Sequence, residues 1–287
     1  MKLIQQSFEI LEQTDFSLIG IKKFIERCGR VCYKSENRIT DDSYEKFVNM
    51  LVKRDHARPL EFGTVHLQMY ISDFHKLRDT LCINNMWNYQ WIKYHYTGNL
   101  TYVTTNYRYY LAIIKVFPSA EKNFDPQDDE LYPKRYTVHF ITSRGIMDEF
   151  RTHIGLSHLA ESSRYCSYDK NRFGNELTFI IPNWVNTNCP NKEQEGPSVA
   201  SIEWSTAMLD AEASYMNLIK MGCTAQEARE VLPLSVKSEL ISCGFEDAWS
   251  NFFYRRCAKD AHPMAREIAT KVRDKFNEFK NETKESK

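Results

Sequence analysis

One stretch constrains this chain more than any other: Glu149 to Tyr165. Glu149, His153, Ser157 and Glu161 stand four residues apart, and Arg164 follows three later. On an α-helix, residues at i and i+4 share one face. The spacing therefore predicts a helix from about Gly145 to Ala160, with an acid, an imidazole, hydroxyls and a guanidinium in one stripe. Solvated helix faces favour Lys and Glu instead, so this stripe reads as the lining of a polar pocket. It ends in Ser162 and Arg164, a pair suited to gripping a phosphate.

Composition bounds the rest. The chain has 287 residues, 42% of them hydrophobic, which is enough for a sizeable core. Lys plus Arg equals Asp plus Glu, at 38 each. That balance argues against a general binder of nucleic acid or membrane surface. No apolar run is long enough to span a membrane, and the first seven residues lack a signal peptide's apolar core. The expectation is a cytoplasmic protein.

The eight cysteines are scattered and none forms a Cys-x-x-Cys pair, so no metal site is expected. Reduced, mostly buried thiols are expected instead. His153 and His158, five residues apart, are not a metal pair on a helix.

Strands are expected near 2–12, 62–74, 99–116 (running into a helix), 134–143 and 176–181. Helices are expected at 16–30, from Thr40 to about Arg54, and at 197–221, 224–231, 245–258 and 262–281. The alternating segment from Trp87 to Trp91 looks like a strand face. The expected class is α+β, a mostly antiparallel sheet flanked by helices with a helical C-terminal third. It forms a single domain over 1–287 with a frayed tail from Asn281.

Toward the C-terminus, Ala228-Arg229-Glu230-Val231-Leu232-Pro233 ends a short helix. Pro263 suits the first turn of another. Arg266 in that turn gains little from the helix dipole, so it either serves an anion or pairs with Asp260 or Glu267.

Together these segments resemble the flavin-dependent thymidylate synthase family. His153, Ser157, Glu161, Ser162, Arg164 and Tyr165 match its signature motif. Further matches are Arg30-Val31-Cys32-Tyr33-Lys34-Ser35, Arg58-Pro59-Leu60-Glu61, Tyr102 to Arg108, Ala228 to Pro233, and Ala261-His262-Pro263 with Arg266. The resemblance implies reductive methylation of dUMP to thymidylate. Methylenetetrahydrofolate gives the carbon, FAD mediates the redox step and NADPH supplies the hydride. It also implies a homotetramer whose active sites are shared between subunits.

Carried over residue by residue, the resemblance gives Ser162, Arg164, Arg229, Glu149 and Arg266 to the nucleotide. It gives His153, Arg256, Glu61 and Ser157 to the flavin, and catalytic roles to Arg266 and His153; Arg151, off the family pattern, is expected to take over part of the flavin-phosphate or nucleotide contact. The family flanks its motif histidine with two arginines; here Thr152 and Ile154 stand there, and Arg151 is the nearest guanidinium. Two other readings compete. One is a nucleotide- or flavin-binding relative without turnover. The other, less favoured, is a single-stranded nucleic-acid binder using the aromatic segment at 87–91.

Overall fold

The computed structural model describes residues 1–162, 168, 176–185 and 198–285. Ser163, Arg164, Tyr165, Cys166 and Cys189 lie outside the described residues.

The elements follow local chemistry. After β1 (Lys2–Ile4) and β2 (Ser7–Leu11), Ser17 caps α1 (Leu18–Tyr33) by accepting the Gly20 amide. Next come α2 (Ser43–Lys53), a 3-10 turn at Arg58–Phe62, β3 (Thr64–Tyr70) and α3 (Ile71–Ile83). They are followed by β4 (Ile92–Thr97) and β5 (Leu100–Asn106). Asn106 caps α4 (Tyr107–Val116), which leads to β6 (Phe124–Asp125) and β7 (Arg135–Ser143). Ser143 caps the short α5 (Arg144–Phe150), which gives way to β8 (Ser157–Ala160) and β9 (Thr178–Ile180). The C-terminal part holds α6 (Val199–Lys220), α7 (Ala225–Ala228) behind a Thr224/Glu227 capping box, β10 (Lys237–Phe245), α8 (Glu246–Arg256) and α9 (Pro263–Glu285).

Two four-stranded antiparallel sheets organise these elements. The first has the order β2-β7-β10-β8, with Lys237 opposite Ser143 and Leu240 opposite both Phe140 and Ala160. One of its faces packs Val138, Phe140 and Leu240 against Phe150, Trp249, Phe252, Ile268 and Phe276 of α5, α8 and α9. The other packs Leu159, Ile241 and Cys243 against Phe24, Cys28 and Val31 of α1. The second sheet, β4-β5-β3-β6, packs Val65, Leu67 and Val103 against Phe74, Leu77, Tyr109 and Ile113 of α3 and α4. A parallel pair joins β1 to β9. The architecture is α+β, as the sequence suggests.

Several elements differ from expectation. The motif segment is not one helix from Gly145 to Ala160. α5 ends at Phe150, and Gly155 sits at φ +94°, which a right-handed helix cannot accommodate. Residues from Ser157 then form β8. The helix at 40–54 begins at Ser43 with Asp42 as its N-cap, not Thr40. The expected strand over 62–74 stops at Tyr70, where α3 begins. Trp87 to Trp91 forms turns and extended loop before β4. The expected tail is still helical, since α9 runs through Glu285. The C-terminal third is not purely helical, because β10 threads the middle of the first sheet.

Candidate active site

Three clusters of polar side chains gather around β8 and β10. In the first, Arg256 closes the end of α8. Its Nε donates to His153 Nε2 at 2.7 Å, and its Nη1 donates to Glu149 Oε2 at 2.7 Å. Its Nη2 donates to the Glu149 carbonyl and, at 3.3 Å, to Thr152 Oγ1. Because Nε2 accepts, the imidazole proton of His153 sits on Nδ1. Burial, aided by the Arg256 charge, holds the His153 pKa down at about 4, so the ring is neutral at physiological pH. His158 is likewise held at about 4, chiefly by burial. It accepts from the Ser242 hydroxyl on Nδ1 and donates to the His153 carbonyl from Nε2.

The second cluster is built on the buried Glu61. Arg108 Nη1 donates to its Oε1 at 2.5 Å, and Ser157 Oγ donates to its Oε2 at 2.5 Å. Arg135 Nη2 donates to the Glu61 carbonyl at 2.7 Å. A cavity of about 370 Å³ opens beside it, lined by Cys32, Tyr33, His56, Arg58, Arg108 and Leu159 among others.

The third cluster is a buried ionic chain. Lys237 Nζ donates to Glu161 Oε2 at 2.9 Å and to Glu239 Oε1 at 2.6 Å. Lys34 reaches Glu239 as well, and His139 Nε2 donates to Glu239 Oε2 at 2.9 Å. Burial alone would push the Glu239 carboxyl up. The His139 hydrogen bond and the two lysines outweigh it and hold the pKa well below the usual carboxylate range. Burial likewise favours a neutral Lys237, but its two carboxylate partners raise its pKa overall. Glu161 is 2% exposed, and its Oε1 has no hydrogen-bond partner among the described residues. Beside it lies a cavity of about 180 Å³ lined by Arg144, Arg229, Lys237, Ser238 and Tyr168. Glu161 and Glu230 line the same cavity; Lys237 is committed to Glu161 and Glu239, so Arg144 and Arg229, whose partners Asp148 and Glu230 are exposed, are the groups that suit a phosphate or another compact anion.

The structure thus brings Glu149, His153 and Arg256 together, and Glu61 together with Ser157. Arg229 lines the cation cavity. Ser162 donates its backbone amide to the Cys32 carbonyl at 3.3 Å, directly after Glu161. Two candidates stand apart from these clusters. Arg151 is 46% exposed and pairs with Asp148 at 3.2 Å. Arg266 Nη1 donates to the Lys259 carbonyl at 2.6 Å, rather than pairing with Asp260 or Glu267. Arg108, Arg144, Lys237 and Glu239 were not singled out from the sequence as site residues. Arg108 was within reach, since it closes the Tyr102 to Arg108 segment that matches the family. Lys237 and Glu239 had no such signal, because their pairing exists only once β10 is placed.

Among the described residues, no group of three or more His, Cys, Asp or Glu side chains is arranged to hold a metal ion. Nor is any of their helices long and apolar enough to cross a membrane.

The family model described as thymidylate synthase complementing protein matches residues 134–279, half of the chain. No curated protein matches. Among solved structures, a UMP/dUMP methylase PolB from Streptomyces cacaoi, bound with 5-Br UMP, is similar at 13% identity. The match covers 97% of this chain and 92% of that one, with a TM-score of 0.45. The matched residues carry β7, α5, β8 and β10, and with them Glu149, His153, Lys237 and Arg256: this chain belongs to the thymidylate synthase complementing protein family, that of the flavin-dependent thymidylate synthases.

Proposed function

We propose that this protein methylates dUMP to thymidylate as one domain, working in the cytoplasm. Methylenetetrahydrofolate is the carbon donor and NADPH the hydride source, with FAD as redox mediator. The observation that carries the reading is the cavity where Arg144, Arg229 and Lys237 converge beside Glu161. A nucleotide monophosphate brings a dianion that such a cavity suits, and bidentate guanidinium contacts give it a fixed orientation. Ser162, next to Glu161 in sequence, and Arg164, three residues after it, would complete the phosphate's partners. Arg266 is the residue assigned to polarise the uracil carbonyl, which makes the ring carbon easier to attack.

Flavin fits the donor set at Glu61. Arg58 and Arg108 line the cavity there, and two guanidiniums match the charge of a pyrophosphate. Glu61, Ser157, His153, Arg256 and Arg151 are the residues assigned to it. When bound, the flavin supplies the electron transfer that no side chain provides. The chain's own contribution is to orient and to hold protons. His153, neutral with its proton on Nδ1, presents one N–H donor and no charge. Arg256 is held in place by Glu149 at the same time. A homotetramer that completes each site with neighbouring subunits belongs to the same reading.

Three measurements test this. The purified protein should be yellow, absorbing between about 350 and 500 nm as flavoproteins do. It should also release tritium from dUMP labelled at the ring carbon that gains the methyl group. Arg164→Ala and Arg229→Ala should each weaken dUMP binding by at least tenfold in calorimetry, about 1.4 kcal/mol. Flavin absorbance without tritium release would favour the second reading, a binding relative without turnover. Thr152 and the exposed Ile154, where the family has arginines, give that reading its support. A colourless protein that binds neither dUMP nor flavin would sink both.

A further inference from the structure

The cation cavity contains a group that an anion site does not need. Glu161 lines it and is almost wholly buried. Its Oε2 accepts from Lys237, whereas its Oε1 is buried with no hydrogen-bond partner among the described residues. A carboxylate oxygen can only accept, and leaving one buried without a donor is costly.

The other groups around the cavity have partners of their own. Lys237 Nζ, on β10, is shared between Glu161 Oε2 and Glu239 Oε1. Behind it Glu239 is held by Lys34 from α1 and by His139 from β7. Arg144, at the start of α5, donates from Nε to Asp148, and Arg229, after α7, donates from Nε to Glu230. The Ser238 hydroxyl donates to Met147 Sδ at 3.0 Å. Asp148 and Glu230 are exposed, so an arriving anion can take both arginines from them. Nothing in that exchange gives Glu161 Oε1 a donor.

A phosphate dianion makes the mismatch worse. Two negative oxygens cannot meet without a hydrogen between them. A phosphomonoester has its second pKa near 6, so about a tenth of it already carries that hydrogen at pH 7. The O–H to carboxylate bond it would make is short and charge-assisted, among the strongest hydrogen bonds available. We infer that the cavity takes a phosphomonoester together with one proton, held between a phosphate oxygen and Glu161 Oε1. The inference rests on the proposed function for the identity of the ester, dUMP. The dianion, one proton from solvent and the empty site give the complex, and no other bond forms or breaks. Because the complex holds one proton more than its separated parts, affinity rises as pH falls. The same proton makes the site selective. A sulfate ester has the same shape and a single charge, but no proton to give near neutrality, so it sets two bare oxygens against each other.

Calorimetry on the full-length protein tests this without turnover. dUMP is titrated at about pH 6.5 and about pH 8, each in two buffers of different ionisation enthalpy. The wild type should take up close to one proton at the higher pH. Its affinity should weaken by at least about tenfold between the two values, as the protonated ester becomes scarce. Deoxyuridine 5′-sulfate should bind the wild type at least about tenfold more weakly than dUMP at pH 6.5, a comparison that needs no variant. In Glu161→Gln the side-chain amide can donate to a bare oxygen, so proton uptake should vanish and the gap between the two esters should close. A wild type that binds dUMP equally well at both pH values with no proton uptake overturns the inference, as does equal affinity for phosphate and sulfate esters. Tritium release by the wild type is read separately. Its presence with proton-free dUMP binding leaves the proposed function standing and removes the shared proton; its absence with proton-linked binding does the reverse. A protein that binds dUMP at neither pH overturns both.

Discussion

The two four-stranded sheets are built alike and filled differently. The β2-β7-β10-β8 sheet buries ionised groups: Lys237 between Glu161 and Glu239, with Lys34 and His139 behind. The β4-β5-β3-β6 sheet buries rings and hydroxyls. His66 lies stacked between Phe16 at 4.5 Å and Tyr132 at 4.0 Å, and its Nδ1 donates to the Gln127 carbonyl. Thr101 and Thr104 have hydroxyls with no partner among the described residues. The only ion pair that its strands carry among those residues is Lys93 with Asp247, at the surface. Taking charge out of water is expensive, and a buried ion pair often stabilises no more than apolar residues of the same shape. A sheet that keeps several such charges is therefore keeping them for something other than stability. The family match covers β7, β8 and β10 and leaves out the whole second sheet.

If that contrast is right, Lys237→Met should be the most damaging change in either sheet. It strands the buried Glu161 and deprives Glu239 of one of two lysines. The expected loss is about 3–5 kcal/mol, read from urea unfolding. Thr104→Val should be neutral or stabilising, within about 1 kcal/mol, because it removes a hydroxyl that is already unsatisfied. Equal costs for the two variants would erase the contrast.

Acid should expose the same difference. An unfolded imidazole takes its proton near pH 6.5, whereas His153 and His158 take theirs only near pH 4. Between those values the unfolded chain binds more protons. Stability is therefore fully present above pH 6.5 and falls as pH drops toward 4. The slope is about 1.4 kcal/mol per pH unit for each histidine at full effect. His153→Gln and His158→Gln should each remove one histidine's share. His66, whose pKa burial also lowers, adds a weaker trend of the same sign from the second sheet. A slope that neither variant changes would mean these rings are protonated when folded.

The backbone between α5 and β8 gives a smaller effect. Gly155 at φ +94° also has Ala248 close by, where a Cβ would sit 3.2 Å from the Ala248 Cβ. Gly155→Ala should cost about 1–2 kcal/mol, seen as a lower urea midpoint. An unchanged midpoint would show that the turn relaxes freely, and that the segment was not committed against helix.

That turn also explains what the sequence hid. A spacing of four residues fits one helical turn, and it equally fits two strand repeats of two. Glu149 to Glu161 satisfied both, and Gly155 was the residue that decided. Ser157 opens β8 and Glu161 follows its last residue; the first bonds Glu61 and the second Lys237. β10 was invisible for a different reason. Buried on both sides, it shows no alternation, and its Ser238, Glu239 and Ser242 look like a loop until Met147, His139 and His158 are placed against them. The amphipathic helices α1 and α9 were legible because each has one buried and one solvated face. The grouping of Glu149, His153 and Arg256 was legible only through family resemblance, since Arg256 lies 103 residues from His153.

The smallest expected effect on stability belongs to Arg151, and that makes it the sharpest probe of function. Its pair with Asp148 is between side chains that are each nearly half exposed, 46% and 47%. Such pairs are worth about 0–1 kcal/mol, so Arg151→Ala should leave the urea midpoint almost unchanged. Arg256 differs, because it holds both His153 and Glu149 and its loss would disturb the local fold. A flavin defect in an Arg256 variant is thus ambiguous, whereas one in an Arg151 variant is not. We expect Arg151→Ala to shed flavin on gel filtration, or to raise the dUMP requirement at least tenfold, about 1.4 kcal/mol. The guanidinium would have to leave Asp148, a weak partner, to make that contact. Retained flavin and unchanged turnover would confine Arg151 to its surface pair and leave Arg58, Arg108 and Arg256 as the guanidiniums for the flavin.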